Sequence, residues 1–595
     1  MENLIDKRQI TAQVTKISWE RIWLHLEVKV TFAEGADTES PLSFYLINGL
    51  YEPKAKLKIT GTKSRKESAE TDGKTEVLYS LKVNITNPGT SLCLPQGTYS
   101  MIICQKKCQM AKAEIAQSLV KDMSSASRNF LYGGRAKVYS VTFYVTEGDE
   151  GLPFIMYVLA GGRTGISAPT VKQKKGFHPK EALKKKYSKI NKPLKVDMYW
   201  KYRKKYKHKS KKPVVMFMSE QSTAISTNLK AVKDRMLARG MDKDYVIVES
   251  YRSSVTNPRM GIKSWMDTLK KMAMADFIFL DDHAPMLDWL IVDKDTTIIQ
   301  LWHAGAGFKS SGYSRWGHIG CPAPYSCHRQ YKYGISGSKN IAHFFSEVWG
   351  INDSQVLPTG MPRIDEFLDE EHREKKTKEL YEKYPVCRDK KVILFAPTYR
   401  GTNKANAHYP YELIDFDRLY EVCGDEYAVL FKMHPWVAAP VPVPDKYKDR
   451  FADAGRYPNI NDLFYITELL ITDYSSNIFE YSLMKKPMLF YAFDEIQYSF
   501  SRGFHRPYEE SAPGRVCHTF DEVLTAVEQK DFDYPKVEEY VEKHFDYIDS
   551  HSSDRVIDWI ILGQLPDSVK KDLAADAAVN KELETLDFKP ADSGK

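Results

Sequence analysis

The chain has 595 residues, which is too long for a single hydrophobic core, so we expect a multidomain globular protein. Its eight cysteines show no paired metal-ligand spacing, and the opening sequence MENLIDKRQI lacks the apolar stretch of a secretory signal. No window approaches the ~20 apolar residues of a membrane-spanning helix. These features argue against disulfide-rich secreted and membrane-spanning classes. They predict a cytoplasmic protein with reduced thiols, whose membrane contact is peripheral.

The net charge of +8 is concentrated in one segment. Residues 172–212 contain 18 Lys and Arg and two acidic residues, which leaves a net charge of −8 on the rest of the chain. Aromatic residues are interleaved with these cations in "YWKYRKKYKHKSKK". We predict that residues 161–212 form a basic linker with one or two helices, which contact an anionic membrane surface, another polyanion or solvent.

Residues 1–160 contain alternating apolar and polar runs such as "ITAQVTKISW" and "KVYSVTFYV". These runs are separated by Gly, Pro, Asn and Asp, and they show almost no helical period. The pattern predicts a small β-sandwich domain.

From residue 213 the chain alternates short apolar strands with helices. One series runs through "PVVMFMS", "DFIFLDD" and "TTIIQLWH", and a second runs through "KVILFAPTYRG", "YAVLFKMHP", "ELLITDYSS" and "KPMLFYAF". All-apolar strands of this kind are typical of parallel sheets covered on both faces. We therefore predict two doubly wound α/β domains, at 213–370 and 371–565. Residues 566–595 are predicted to be a frayed helix and a disordered tail.

The apolar strand 296–301 delivers His303 and a glycine-rich loop to its carboxyl end. In open parallel sheets ligands bind beyond the carboxyl ends of strands, so His303 is placed to approach a ligand. By itself, a single histidine is more often a structural hydrogen-bonding residue than a catalyst.

Three strands of the second α/β domain also end in polar groups suited to phosphate. They are followed by Thr398 and Arg400, by Lys432 and His434, and by Asp473, Ser475 and Ser476, respectively. Arginine can grip two phosphate oxygens, and serines at the start of a helix leave backbone N–H groups for an anion. Each group also has a structural interpretation, as a cap, a solvated cation or a backbone hydrogen bond. Together they predict a phosphate-bearing ligand.

The common nucleotide motifs are absent from the sequence, and it shows no obvious metal motif. There is no G-x-x-x-x-G-K-[ST] motif and no G-x-G-x-x-G followed by a helix and an acid, which argues against a P-loop kinase and a dehydrogenase. No D-x-D or H-x-x-x-H offers a metal site. We therefore expect no metal and no cofactor.

Six sequence blocks, in their order along the chain, together resemble the CDP-glycerol glycerophosphotransferase family. This family includes teichoic-acid glycerol- and ribitol-phosphate polymerases and primases. The blocks are "LWHAGAGFK", "LPTGMPRIDEFL", "FAPTYRG", "KMHPW", "NDLFYITELLITDYSSNIFEYSLMKKPMLFY" and "YSFSRGF", within residues 213–560. The resemblance implies a GT-B fold with two Rossmann-like domains facing a cleft. It also implies metal-independent transfer of a polyol phosphate from CDP-glycerol or CDP-ribitol to a lipid-linked polyol-phosphate acceptor, at the inner face of the cell membrane.

The resemblance also assigns roles to matching residues. It implies that His303 is the general base and that His434 engages the donor phosphates. Ser475 and Ser476 match phosphate binders, as do Thr398 and Arg400. The sequence Trp302-His303-Ala304-Gly305 departs from the Trp-His-Gly of glycerol enzymes and is closer to ribitol-type members.

Two other functions remain open on the sequence. A GT-B glycosyltransferase would release a nucleoside diphosphate from a nucleotide sugar instead of CMP. A nucleic-acid-binding protein would use the basic segment, where cations and aromatic side chains suit phosphate contact and base stacking. The acidic remainder of the chain and the lack of an RNA-binding module argue against nucleic acid as a partner.

Overall fold

The computed structural model describes residues 10–48, 52–59, 64–67, 74–89, 92–106, 108–145, 151–163, 179–207, 209–225, 227–252, 261–318, 320–401 and 404–585. Within these residues the chain forms a β-domain, a long basic helix, two α/β domains and a C-terminal helical segment.

Burial alternates along the strands of the N-terminal domain. In the second strand every other side chain, from Leu24 to Phe32, is buried, as expected when one face lies on a core. The elements are β1 (Ile10–Glu20), β2 (Trp23–Phe32), β3 (Leu42–Asn48), β4 (Glu52–Lys56), β5 (Lys58–Ile59), β6 (Ser64–Glu67), β7 (Thr75–Asn84), β8 (Gly97–Gln105), β9 (Cys108–Ile115), α1 (Met123–Ala126), β10 (Arg128–Tyr132), β11 (Lys137–Tyr144) and β12 (Ile155–Arg163).

The strands of this domain follow the order β10-β11-β12-β8-β9-β1-β2-β7-β5, with β3 beside β8, β4 beside β3 and β6 beside β7. β9 pairs antiparallel with β8 and parallel with β1, so it joins two layers. Buried side chains of both layers, such as Val28 and Ile103, belong to one core. The predicted β-sandwich is confirmed.

The basic segment forms one helix, α2 (Pro179–Tyr206). Residues 164–178, which make up much of the rest of the predicted linker, lie outside the described residues.

The first α/β domain has six parallel strands in the order β14-β13-β15-β16-β17-β18. Its elements are β13 (Val214–Ser219), α3 (Thr227–Ala238), β14 (Val246–Tyr251), α4 (Ile262–Met274), β15 (Phe277–Leu280), β16 (Thr297–Gln300), β17 (Tyr331–Ile335), α5 (Ala342–Trp349), β18 (Val356–Leu357) and α6 (Ile364–Phe367). Every residue of β13 is buried, as in a sheet covered on both faces.

The end of the basic helix belongs to this first α/β domain. Arg203 is 5% exposed. Its guanidinium donates hydrogen bonds to the backbone carbonyls of Ala273 and Ala275, at 3.1 Å each, at the C-terminal end of α4. The structure thus differs from the predicted linker here, because tertiary hydrogen bonds tie the last turns of α2 to the sheet domain.

The second α/β domain has six parallel strands in the order β21-β20-β19-β22-β23-β24, so the strand order reverses between β19 and β22. Its elements are α7 (Glu370–Lys383), β19 (Lys391–Phe395), α8 (Phe416–Cys423), β20 (Tyr427–Phe431), β21 (Phe451–Asp453), α9 (Ile460–Phe464), β22 (Thr467–Thr472), α10 (Ile478–Ser482), β23 (Met488–Tyr491), α11 (Glu495–Ser501), α12 (Tyr508–Ser511), β24 (Arg515–Cys517) and α13 (Phe520–Gln529). The two predicted Rossmann-like domains of a GT-B fold are confirmed.

The chain then returns to the first half of the molecule through α14 (Pro535–His544), α15 (Ser552–Val556) and α16 (Asp567–Thr585). Asp554 of α15 pairs with Arg235 and Arg239 at α3. Val579 of α16 packs on a buried cluster of the β-domain. This differs from the frayed helix predicted from residue 566, because α16 has a docking surface that only tertiary contacts supply. Residues 586–595 lie outside the described residues.

A buried carboxylate joins the β-domain to both α/β domains. Glu347 of α5 is 3% exposed. Its oxygens accept hydrogen bonds from Arg21 (3.2 and 3.3 Å) and from the indole of Trp23 (3.1 Å), both in the β-domain. His505, in the second α/β domain, places Nε2 3.1 Å from Glu347 Oε2. Burial opposes ionisation of Glu347, but His505 and Arg21 outweigh it and lower its pKa to about 2.

We expect Glu347→Gln to lower the melting temperature at pH 7, because breaking a buried ion pair costs about 3–5 kcal/mol. The folded pKa of Glu347 is depressed below its ordinary value of 4.5. Its stabilisation is therefore present above about pH 4.5 and is lost as the pH falls towards about 2. Thermal melts of wild type and variant should converge over that range.

The control for this prediction is Glu27→Gln, which removes an exposed pair with Lys16 at 3.4 Å. An exposed pair contributes about 0–1 kcal/mol, so this variant should melt close to wild type. Equal melting temperatures for both variants at pH 7 would contradict the importance of Glu347.

Candidate active site

The second α/β domain brings two strand ends together where its strand order reverses. β19 and β22 are neighbours, and their loops continue into Thr398 and Asp473. The Asp473 carboxylate, 1% exposed, accepts hydrogen bonds from the Thr398 backbone N–H (2.8 Å) and hydroxyl (3.1 Å). A carboxylate repels phosphate, so we infer that Asp473 holds Thr398 in place. Direct contact of either residue with a donor phosphate stays a prediction.

Arg400 is held by two carboxylates. Its Nε and Nη2 donate to Asp494 at 2.6 and 2.8 Å, and Nη1 donates to Asp473 at 3.0 Å. Nη1 also donates to the Thr398 carbonyl at 2.9 Å. A phosphate would have to compete with these hydrogen bonds, so the predicted phosphate grip of Arg400 stays a prediction, and its observed contacts orient the loop.

His434 follows β20 and is a neutral hydrogen-bond donor. Burial, together with the positive charges of Lys309 and Lys432, lowers its pKa to about 4. Its Nδ1 accepts a hydrogen bond from the Trp436 backbone N–H at 3.1 Å, so the ring proton is on Nε2. The ring also lies 4.7 Å from the ring of Tyr399, centroid to centroid. His434 can therefore donate a hydrogen bond to a phosphate oxygen.

Lys432, which was predicted to bind phosphate together with His434, points towards the protein interior. It is 5% exposed, and its Nζ donates to the Gly455 carbonyl at 3.0 Å. Burial lowers its pKa. Its predicted phosphate contact stays a prediction.

The two predicted serines lie in the loop between β22 and α10. Ser475 is buried, and its Oγ accepts a hydrogen bond from the Asn477 backbone N–H at 3.2 Å. Ser476 is half-buried and lines a cavity shared with His303. The structure therefore places Ser476 at the cleft and Ser475 in the turn that supports it.

His303 follows β16 on a constrained loop. Trp302 adopts φ +52°, and the amide of Asn228 donates to the carbonyls of Leu301 (3.1 Å) and Trp302 (2.7 Å). His303 Nδ1 lies 3.2 Å from the Asp281 carbonyl oxygen. Since a carbonyl only accepts, Nδ1 carries the hydrogen and the lone pair is on Nε2. With its side chain 47% exposed, His303 can accept a proton from a ligand.

The loop that carries His303 is tied to the second α/β domain. Arg363 donates from Nη1 to the His303 carbonyl at 2.6 Å and from Nε to Glu480 of α10 at 2.7 Å. A Cβ on Gly305 would lie 2.5 Å from the ring of Phe479, also in α10. Glycine at position 305 thus lets the loop touch the opposite domain.

Sequence reasoning missed two cations at this cleft, Lys309 and Arg502. Both line the cavity of about 290 Å³ that also contains His303 and Ser476. Burial lowers the pKa of Lys309 to about 8, although Asp473 acts in the opposite direction. A signal was present in the blocks "AGFK" and "SRGF", where a single cation stands within two residues of a glycine. Only the fold shows that the two cations line one cavity.

The predicted residues thus fall into three groups. His303 and Ser476 share the cavity, and Lys309 is close enough to His434 to lower its pKa. Thr398, Arg400 and Asp473 form a hydrogen-bonded cluster beside them, and Ser475 accepts a hydrogen bond within its own loop. Lys432 donates to the backbone outside these two groups.

The family model described as CDP-Glycerol:Poly(glycerophosphate) glycerophosphotransferase matches residues 200–562. Teichoic acid ribitol-phosphate polymerase TarL of Staphylococcus aureus is 39% identical over 355 residues, which cover 59% of this chain and 63% of TarL. Teichoic acid poly(ribitol-phosphate) polymerase of Bacillus spizizenii is 37% identical over 351 residues, which cover 59% of this chain and 56% of that protein. The match therefore spans less than two thirds of the length of either relative.

Among solved structures, the wall teichoic acid polymerase TagF superposes with a TM-score of 0.48 at 21% identity, covering 67% of this chain and 99% of that chain. Because the family model spans more than half of the sequence, this chain belongs to the CDP-glycerol:poly(glycerophosphate) glycerophosphotransferase family.

Proposed function

We propose that the protein transfers a polyol phosphate from a CDP-polyol to a hydroxyl group of a teichoic-acid acceptor and releases CMP. One observation carries this proposal. His303 and Lys309 of the first α/β domain line a single cavity with Ser476 and Arg502 of the second. A proton acceptor and phosphate-binding groups therefore face each other, as phosphoryl transfer requires. Membership of the family supports the same reaction.

In this reaction His303 Nε2 accepts the proton of the acceptor hydroxyl. The acceptor oxygen forms a bond to the phosphorus that carries the polyol, and the bond from that phosphorus to the CMP oxygen breaks. CMP leaves with the electron pair. The charge on the phosphate oxygens is stabilised by His434 Nε2–H, Lys309 and the hydroxyl of Ser476. The protein contributes positioning and electrostatics, with no covalent step of its own.

Ribitol phosphate is the polyol phosphate that we propose. The relatives named as ribitol-phosphate polymerases are 37–39% identical to this chain. The relatives named as glycerol-phosphate enzymes are 25–32% identical. The Trp302-His303-Ala304-Gly305 sequence, in which Gly305 contacts Phe479, agrees with this choice.

A lipid-linked acceptor would lie at a membrane surface, and α2 offers a basic surface with exposed apolar side chains. Leu194 is 57% and Trp200 44% exposed, and Ile262 at the start of the adjacent α4 is 72% exposed. None of the helices in the described residues has the length and hydropathy to cross a bilayer. We propose peripheral binding to anionic lipid at the inner face of the membrane. Arg203 takes no part, since it is buried.

The reaction is tested by incubating the purified protein separately with CDP-ribitol and CDP-glycerol, each with a lipid-linked polyol-phosphate acceptor. We expect acceptor-dependent CMP release, and faster release from CDP-ribitol. Release of a nucleoside diphosphate from a nucleotide sugar, without CMP from either donor, would instead indicate a glycosyltransferase.

The two histidines should respond differently to substitution. His303→Ala should lose turnover by about 10²- to 10⁴-fold and keep donor affinity, because a general base acts on the acceptor. His434→Ala should lose both donor affinity and rate, since its hydrogen bond is present in the ground and transition states. Calorimetry, CMP release and thermal melting are measured for each. A well-folded His303→Ala with normal turnover would contradict the base assignment.

The basic surface is tested by sedimentation with anionic liposomes. We expect binding that weakens at high salt, because the attraction is screened. The test variant changes six exposed lysines to Gln: Lys192, Lys201, Lys204, Lys205, Lys209 and Lys211. The matched control changes six exposed lysines elsewhere: Lys294, Lys332, Lys375, Lys378, Lys383 and Lys404. Equal loss of binding in both variants would mean that net charge, rather than α2, determines binding.

A further inference from the structure

A cluster of possible metal ligands lies in the first α/β domain, close in sequence to Asp281, whose carbonyl contacts His303. His283, Asp288 and Cys327 each offer one ligand atom, and these three atoms lie within 4.8 Å of one another. The transfer reaction proposed above uses none of them. They come from two segments about forty residues apart in the sequence. No local sequence motif therefore indicates them, and the prediction that no metal is bound was made from local motifs.

Hydrogen bonds between the loop after β15 and the turn before β17 bring the two segments together. His283 and Asp288 lie in the loop after β15, with Asp288 ending a short 3₁₀ turn, Pro285–Asp288. Cys327 begins another 3₁₀ turn, Cys327–Gln330, just before β17. β15 and β17 lie on either side of β16 in the sheet. The loop after β15 reaches the turn before β17, where the Gln330 amide donates to the carbonyls of Leu287 (2.7 Å) and Leu290 (3.0 Å).

The three side chains are already oriented towards each other. His283 Nε2 lies 3.1 Å from Asp288 Oδ2. The other carboxylate oxygen, Oδ1, accepts a hydrogen bond from the Cys327 backbone N–H at 2.9 Å. The Cys327 sulfur lies 3.5 Å from the hydroxyl of Tyr331, which is itself 3.0 Å from His328 Nδ1. Such supporting hydrogen bonds fix ligand orientation around metals.

The three side chains of the cluster differ in their exposure to solvent. Cys327 is fully buried, whereas the side chains of His283 and Asp288 are each 38% exposed. The cysteine is therefore out of reach of a bulky substrate, but a small ion can arrive between His283 and Asp288. A buried thiolate with two partly exposed ligands above it suits a metal ion better than a nucleophile.

We propose that His283, Asp288 and Cys327 bind one zinc ion, with water as a fourth ligand. Zinc accepts sulfur, nitrogen and oxygen ligands together, whereas magnesium and calcium take oxygen ligands and hold thiolate poorly. On binding, the Cys327 thiol loses its proton to solvent and the neutral imidazole of His283 donates its lone pair. No electron transfer is involved.

The ion would be a positioning element for the first α/β domain. The loop that carries His283 begins with Asp281, whose carbonyl faces His303 Nδ1 at 3.2 Å, and Asp282, whose carboxylate lies 3.7 Å from the same nitrogen. Zinc at His283 would clip this loop to the segment before β17. The proposal concerns metal binding and does not rest on the proposed transfer reaction.

The test uses the full-length protein, purified under reducing conditions without chelators or a metal-affinity column. We expect about one zinc per chain by elemental mass spectrometry. Cys327→Ser and Asp288→Asn should each lower zinc affinity at least about tenfold. Cobalt(II) added to metal-free wild type should give a thiolate-to-cobalt charge-transfer band in the near ultraviolet, which Cys327→Ser should lack. Zinc should also raise the melting temperature of the metal-free protein.

Two controls make the outcome decisive. Cys387→Ser changes another fully buried cysteine and should keep the zinc and the cobalt band. His518→Ala disrupts the second cluster of possible ligands in the described residues, Glu495, Glu509 and His518, and should also keep them. A wild-type protein with neither zinc nor a cobalt band overturns the proposal. So does zinc that survives both Cys327→Ser and Asp288→Asn, or that disappears with His518→Ala.

Discussion

The geometry of the cleft depends on a short stretch of backbone pairing between the two α/β domains. Ser310 N–H donates to the Gly503 carbonyl at 3.1 Å, and His505 N–H donates to the Phe308 carbonyl at 3.0 Å. Backbone groups in such an interface must be paired, so a slip of one residue would cost both bonds. This pairing fixes the far end of the loop that begins at His303. The register of this backbone pairing therefore determines how the proton acceptor is positioned relative to the phosphate-binding side of the site.

The charged side chains near the cleft have two different roles. The carboxylates of Asp473 and Asp494 hold Arg400, and through it the loop after β19, in one conformation. The cavity itself is lined by Lys309 and Arg502. The acids are paired with Arg400, whereas the cations line the cavity, so the cavity favours an anion without rearrangement. Preorganised electrostatics of this kind stabilise charge in transfer reactions.

The β-domain lies outside the matched family region, yet it is part of the same folded body. Trp316 of the first α/β domain stacks on Phe130 of the β-domain with ring centroids 5.6 Å apart, and it belongs to the β-domain core. Together with the contacts of Glu347, this buried seam couples the β-domain to the domain that carries His303. Motion of the β-domain independent of α5 would separate Arg21 and Trp23 from Glu347 and leave a buried carboxylate without these partners, which is costly.

The sequence alone determined the two α/β series, the β-sandwich and the strand ends, because alternation and apolar runs are local patterns. It also predicted His303 and Ser476 as site residues from the strands that precede them, and both line one cavity. It could not show that Arg400 is committed to Asp494, that Lys309 faces Arg502, or that Cys327 meets His283. Nor could it place Arg203 and Val579 in docked helices. Each of these depends on residues distant in the chain. Burial and pairing between such residues exist only once the sheets are assembled, so the tertiary structure decided them.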